Sequence, residues 1–334
     1  KGTMRGRGAG IGTPASMLEK LKQRDLIDSD MPCFKVSDGP FIGKQDADDH
    51  YGHTAWSMSM SIVLLNWGDL FKQLRKRVPD SAYHEGVDVL EATPSDRSVV
   101  LKMSGDCEEN FDLVIFADGY NSIGRSSLFP HLTINYCGYV LWRGVLEEKS
   151  LENSTPLEGK LPRISYKGLG GTAVFYFVPG ADGTVEKGKR WVNWACYIPL
   201  PENELPGFLT DRTGRIRKGS LPPGNMRLDE EAKLKQLMRD HLPGYYSNII
   251  QESSDTFAQP IYSNNVPAYY KGKICIMGDA GALAQPFTGS GVFKGINNAI
   301  DLSEKLKMAG NYANAIDQWS IEQTPVSYTH LRAH

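Results

Sequence analysis

From Ser57 to Leu65 polar and apolar residues alternate, then give way to an apolar run. Side chains on a strand point to opposite faces in turn, so this pattern predicts a strand. Upstream, Ala15 to Lys22 places Met17, Leu18 and Leu21 at helical spacing. Thr13 is positioned to cap that helix and Pro14 suits its first turn. Asp69 to Val78 reads as a short amphipathic helix that Pro79 stops. Val87 to Ala92 and Ser98 to Met103 read as paired strands. Phe111 to Phe116 is apolar apart from Asp112, the mark of a strand buried on both faces of a parallel sheet.

The middle of the chain has a different pattern. Tyr139 to Leu146, Arg163 to Tyr166, Thr172 to Val178 and Arg190 to Ile198 are rich in aromatic and β-branched residues. Gly168 to Gly171 and the Gly180 to Gly188 stretch separate them as turns, which predicts an antiparallel sheet. A segment rich in Pro, Gly and charge (Pro199 to Asp229) leads to a helix over Glu230 to His241 and a strand over Gln251 to Tyr262. The α/β pattern then returns. Lys273 to Met277 is a buried strand, Gly278 to Gly291 a loop with four glycines, and Val292 to Met308 a helix. The predicted fold class is α/β (α+β), a Rossmann-like domain with an antiparallel sheet domain inserted into it. The expected boundaries are 1–130 and 264–325 for the discontinuous domain and 131–263 for the inserted one.

The two ends change this picture. Residues 326–334, VSYTHLRAH, resemble a reading frame of a transposon sequencing adapter, and are set aside as a non-native tail. The start, Lys1 to Gly8, reads as the interior of a loop. Truncation at both ends is therefore expected.

Composition narrows the function classes. The 334 residues are 40% hydrophobic and 23% charged, which excludes disorder for most of the chain. With 37 basic against 39 acidic residues there is no field to hold a nucleic acid backbone. Five cysteines, none in a Cys-x-x-Cys pair, argue against a disulfide scaffold or a cysteine zinc cluster. They favour a reducing compartment, and so a cytoplasmic location. The longest charge-free apolar stretch, Thr54 to Gly68, is short for a membrane span.

Two segments carry chemistry. In the first, Gly278-Asp279-Ala280 directly follows a buried strand, and Gly289-Ser290-Gly291 opens the next helix. A carboxylate at a strand end can accept from ribose or ribitol hydroxyls. A helix N-terminus opened by glycines offers unpaired N–H groups, and glycines let a flat ring approach the backbone. The same residues also fit an ordinary strand–loop–helix connection with capping glycines. In the second, Asp112 to Phe116 leads into Ala117-Asp118-Gly119, with Ser122 and Arg125 following. An Asp-Gly turn and a capping serine explain Asp118, Gly119 and Ser122, but not Arg125.

Taken together, DxxxxADGxxSxxR and GDAxxxxxPxxGxG, in this order, resemble the single-component FAD-dependent aromatic hydroxylases of the p-hydroxybenzoate hydroxylase fold. Gly8-Ala9-Gly10-Ile11 resembles the loop after the second strand of that fold. Tyr83-His84-x-Gly86-x-x-Val89 resembles the strand whose valine sits beside the FAD adenine. Tyr139 to Gly144 and the tyrosine-rich middle look most like the 2,6-dihydroxypyridine 3-hydroxylase branch.

The resemblance implies FAD as cofactor, with NADH or NADPH as co-substrate. It implies hydroxylation of an electron-rich phenol- or hydroxypyridine-type ring by O2 through a flavin hydroperoxide. Gly278 and Asp279 would meet the ribityl chain, and Gly289, Ser290 and Gly291 the pyrimidine edge of the flavin. Pro286 would lie near the face where oxygen adds. Asp118 and Gly119 would serve FAD and the nicotinamide, supported by Arg125. Val89, Gly10 and Ile11 complete the expected cofactor contacts. The inserted sheet would form a substrate floor, with Tyr176, Trp194, Tyr197, Trp142 and Arg143 as candidates, each of which also fits an ordinary sheet residue. The sequence names no catalytic base and no metal ligand, and the reading allows a homodimer.

This sequence departs from the family pattern at several positions. Ala282 stands for a usual histidine, Phe293 for asparagine, Asn297-Asn298 for Glu-Asp, and Trp67 for a frequent FAD-contacting arginine. By position the family's GxGxxG loop and ribose-binding acid lie upstream of Lys1. Two other readings stay open. One is a flavoprotein epoxidase or reductase acting on an aliphatic or isoprenoid substrate. The other is a non-catalytic FAD-binding member.

Overall fold

A computed structural model describes residues 10–308 and 310–332, with side chains through residue 324. Gly8 and Ala9 of the expected N-terminal loop, and the side chains of residues 326–334, lie outside the described residues. The chain divides into two compact units. One holds residues 79–135 and 262 onward, the other residues up to 78 and 136–261.

The second unit is built on an eight-stranded sheet. Its order is Gly10–Pro14, His53–Asn66, Phe34–Gly43, Arg163–Ser165, Thr172–Val178, Trp191–Pro199, Asn135–Glu147 and Phe257–Ser263. Phe34–Gly43 and Arg163–Ser165 run parallel, while the neighbours on either side of them are antiparallel. This ladder explains why residues up to 78 fall with the sheet rather than with the discontinuous domain expected for 1–130. His53–Asn66 pairs with both Gly10–Pro14 and Phe34–Gly43, and Phe34–Gly43 continues into the middle strands.

Alternation sorts the central strands onto two faces. Trp142, Phe175, Phe177, Val192, Trp194 and Cys196 share one face, closed by Leu234 and Met238 of the helix Leu228–His241 and by Tyr245, Tyr246, Ile249 and Ile250 of the helix Gly244–Glu252. The expected strand over Gln251 to Tyr262 therefore starts later, at Phe257, because the preceding segment completes that helical cover. Thr13 does not cap its helix. Pro14 occupies the cap position without a side-chain bond, and the Thr13 hydroxyl is buried with no partner among the described residues.

The first unit holds a short three-stranded sheet, Tyr270–Lys271, Ile274–Ile276 and Val114–Phe116, the last two parallel. A meander of Val89–Pro94, Val99–Met103 and Cys107–Phe111 accompanies it. The single strand expected over Phe111 to Phe116 is thus split. Phe111 ends the meander, and only Val114–Phe116 joins the parallel pair. Val114 and Phe116 are buried, but Ile115 is 42% exposed, so this strand packs on one face and not on both. The helices Gly291–Met308 and Tyr312–Arg332 pack on each other. The Ser320 hydroxyl ties the second of them to the N–H groups of Tyr269 and Tyr270, at 2.8 and 3.1 Å.

Gly124 lies in the first turn of the helix Ile123–Leu128, against Phe116. A Cβ there would come 2.2 Å from Phe116 Cγ. Gly124→Ala is expected to force the ring aside and destabilise the unit by about 1–3 kcal/mol, read as a lower thermal midpoint.

Candidate functional site

In the first unit the strands Val114–Phe116 and Ile274–Ile276 end side by side, because they are parallel and in register at Phe116 and Ile276. Each is followed by one of the two motif loops. Asp118 Oδ2 accepts the Ile123 N–H at 2.7 Å, and Ser122 Oγ accepts the Arg125 N–H at 2.9 Å. These bonds satisfy two orphan donors at the start of the helix Ile123–Leu128. Gly119 sits at φ +79, a left-handed conformation that favours glycine, and a Cβ there would meet no atom within 4 Å.

Arg125 joins the two loops. It is buried to 5% exposure. Its Nη1 donates to the carbonyls of Asp279 at 3.2 Å and Ala280 at 3.0 Å, and its Nη2 donates to the Tyr120 carbonyl. Burial pushes the guanidinium pKa down, and the nearby carboxylates of Asp118 and Asp279 oppose that shift. The one residue that a turn-and-cap reading leaves unexplained is the clamp between the loops.

The Gly278–Ala280 turn is held from the helix Gly291–Met308. Asn298 Oδ1 accepts the Gly278 N–H at 3.0 Å, while Asn298 Nδ2 donates to Gln323 Oε1 at 2.7 Å. Gly278 and Gly295 approach closely, each one's added Cβ meeting the other's Cα within 4 Å. Asn264 fixes the next stretch, donating to the Gly281 carbonyl at 2.9 Å and accepting the Leu283 N–H at 2.7 Å. Sequence reasoning marked Asn298 only as a departure and missed Asn264, Lys294 and Gly295. Only the spacing of Gly291 and Gly295 on one helix offered a hint.

The Asp279 carboxylate is 55% exposed, and Lys294 Nζ stands 3.8 Å from its Oδ1. Gly289 at φ +65 closes the turn Pro286–Thr288 and donates to the Pro286 carbonyl at 3.0 Å. Thr288 and Ser290 hydroxyls meet at 2.6 Å. The bond from the Lys294 N–H to the Ser290 carbonyl, 2.8 Å, marks the first turn of Gly291–Met308. The N–H groups of Gly291, Val292 and Phe293 lie ahead of it, where a helix leaves its donors without an intrahelical acceptor.

The five floor candidates in the second unit do not fall together. Trp142 and Trp194 lie in the closed core at 0% exposure, ring centroids 4.9 Å apart, with Trp194 Nε1 donating to Ser253 Oγ at 2.8 Å. They occupy the opposite face from Arg143, Tyr176 and Tyr197, one strand step away in each case. On that other face, Arg143 Nη2 and the Tyr176 hydroxyl both donate to the Gly10 carbonyl, at 2.8 and 2.9 Å, and Asn193 Oδ1 accepts the Gly10 N–H at 2.8 Å. Gly10, expected in a ligand-contacting loop, is instead a strand residue with both backbone groups engaged. Ile11 pairs with Leu65 in the same ladder. Burial pushes the Tyr197 hydroxyl pKa up to about 12, opposed by Arg143 and Arg163. Val89 is half-buried at the start of the meander and packs on the first unit's core. Trp67 opens the helix Trp67–Arg75 and stacks on Phe71, centroids 5.7 Å apart.

A family model described as FAD binding domain-like matches residues 136–263. The solved 2,6-dihydroxypyridine-3-hydroxylase from Arthrobacter nicotinovorans aligns with a TM-score of 0.86 at 19% identity, covering 98% of this chain and 80% of that one. The chain has the flavin-monooxygenase fold. Klebsiella pneumoniae HpxO, solved with FAD and uric acid, aligns with a TM-score of 0.74 at 17% identity, over 97% of this chain and 77% of its own. In sequence, a 2,6-dihydroxypyridine 3-monooxygenase of Paenarthrobacter nicotinovorans is 23% identical over 256 residues, 75% of this chain and 62% of the relative. The chain thus spans less than two thirds of that relative's length. No helix among the described residues is long and apolar enough to cross a membrane.

The HpxO structure carries FAD, and the residues of the first unit fit such a group. Added Cβ atoms at Gly119, Gly289 and Gly291 would all meet open space. A half-exposed carboxylate and a helix N-terminus flank these positions. A polyhydroxylated chain carrying a flat ring that becomes negative on reduction matches this set of acceptors, donors and gaps.

Proposed function

We propose that this chain belongs to an FAD-dependent monooxygenase that hydroxylates an electron-rich ring of the phenol or hydroxypyridine type, with NADH or NADPH as reductant and O2 as oxidant. The observation that carries this reading is the Arg125 clamp, which joins the Asp118 and Asp279 loops at the ends of two parallel strands. An ordinary strand–loop–helix connection gives no reason for a buried arginine to tie two such loops together. The names of the relatives, a dihydroxypyridine monooxygenase foremost, support the ring class.

FAD, when bound, supplies the electron transfer and the activation of O2 that ring hydroxylation requires. The chain's own residues do the rest. Asp279 accepts hydrogen bonds from polyol hydroxyls. The N–H groups opening Gly291–Met308, with the helix dipole behind them, favour negative charge at that end. The glycines at 119, 289 and 291 leave room for the ring system. Pro286 and Gly289 fix the loop that leads into the helix. On the sheet unit, Tyr197 is the candidate to orient a ring hydroxyl. From the same face of the sheet, Arg143 and Tyr176 hold the Gly10 carbonyl.

The test uses the protein encoded by the complete gene. It is loaded with FAD, and NADH and NADPH oxidation is followed with a panel of phenols and hydroxypyridines. Stimulation by one ring class, with a product heavier by one oxygen atom, is expected. Bound FAD with no stimulation by any ring would contradict the substrate class and favour a non-aromatic substrate or a non-catalytic protein.

A further inference from the structure

Lys294 is the most deeply buried cation near the site, its side chain 2% exposed. It lies in the first turn of Gly291–Met308, where the helix dipole disfavours a cation. Burial pushes its ammonium pKa down, opposed by the Asp279 carboxylate. A lysine kept there against both effects needs partners, and it has two. Its Nζ donates to the Ala282 carbonyl and stands 3.8 Å from Asp279 Oδ1. The two partners belong to the same loop, one on each side of Gly281.

We propose that Lys294 is a positioning residue for the cofactor, acting through Asp279. The buried ammonium holds Oδ1 from below and leaves the exposed remainder of the carboxylate aimed outward to accept the hydroxyls of the flavin's polyol chain. By holding the Ala282 carbonyl it also prevents the loop from turning Asp279 away. This inference rests on the proposed flavin reading of the site and adds a residue that motif comparison does not mark. It also explains how Ala282 works with no side-chain function. The loop is fixed at that position through its backbone carbonyl, so the side chain need contribute nothing.

The test is a double-mutant cycle read as FAD affinity, by quenching of flavin fluorescence on titration into the apoprotein. Lys294→Met is expected to weaken FAD binding by about tenfold, the scale of a lost charge-assisted contact. In an Asp279→Asn background the same change is expected to matter less than about threefold, since the charge it would orient is gone. Lys294→Arg is expected to restore most of the affinity. Lys294→Gln, which can still donate to the Ala282 carbonyl but carries no charge, is expected to stay several-fold weaker than the wild type. Equal losses for Lys294→Met in both backgrounds, or full affinity in Lys294→Gln, would overturn the proposal and leave Lys294 as a purely structural tether. A wild-type protein that takes up no FAD would instead overturn the flavin reading itself, so the two failures are distinguishable.

Discussion

Replacing Arg190 by methionine is expected to destabilise the sheet unit by about 3–5 kcal/mol, the usual consequence of leaving a buried charge without its partner. Arg190 and Glu148 are both 3% exposed. The guanidinium grips Glu148 through Nε and Nη2 at 2.7 and 2.5 Å, and Glu158 through Nη1 and Nη2 at 2.9 and 2.6 Å. It lies 4.0 Å over the Phe177 ring. Methionine would fill much of the volume but strand the Glu148 carboxylate, leaving it the Gly188 N–H at 2.7 Å and the Ser154 side chain.

The pH dependence is expected to change sign with this variant. In the wild type Arg190 and Gly188 outweigh burial, so the Glu148 pKa lies below its ordinary 4.5. A depressed carboxylate stabilises the fold fully above the unfolded value, and that stability is lost as pH falls through the folded value. Without Arg190, burial dominates and the Glu148 pKa rises. The variant then gains stability relative to the wild type as the pH drops from neutral toward 4.5. Urea denaturation at neutral and mildly acidic pH measures both effects. A variant within 1 kcal/mol of wild type at neutral pH would show that Glu148 finds water or another donor.

Arg125→Met is expected to destabilise the first unit by about 2–4 kcal/mol, because three buried or half-buried carbonyls lose one shared donor group. Those carbonyls belong to Tyr120, Asp279 and Ala280. The variant is also expected to lose FAD affinity by more than about tenfold, since the Asp279 turn is released on the side that Lys294 does not hold. Arg125→Lys should recover stability only in part. A lysine offers a point charge on a flexible stem, not a planar fork that can reach carbonyls from two loops at once. Thermal melts with and without FAD separate the two effects. Unchanged FAD binding in a folded Arg125→Met protein would remove the clamp from the functional account.

These expectations show what the sequence could and could not reveal. The Asp118–Gly119 and Gly278–Asp279 turns were legible because each follows an apolar strand and needs glycine or a carboxylate at a fixed offset. The central strands Thr172–Val178 and Trp191–Pro199 were legible from their aromatic and β-branched content. Which face each residue joins was not legible, because one step along a strand reverses the side chain. That is how Trp142 and Trp194 entered the floor candidates and ended in the core. The placement of residues up to 78 with the sheet depended on pairing between Phe34–Gly43 and Arg163–Ser165, far apart in the chain. Lys294, Asn298 and Asn264 act through long-range bonds to backbone groups, and no local pattern announces such a bond.

The central question is whether the Asp279 loop holds a flavin. The decisive measurement is FAD titration of the protein from the complete gene, followed by the visible flavin spectrum, beside its Asp279→Ala variant. The account predicts saturable uptake by the wild type and affinity at least about tenfold weaker in the variant, with both folded by circular dichroism. A folded wild type that takes up no flavin, or a variant that binds it equally well, would contradict it.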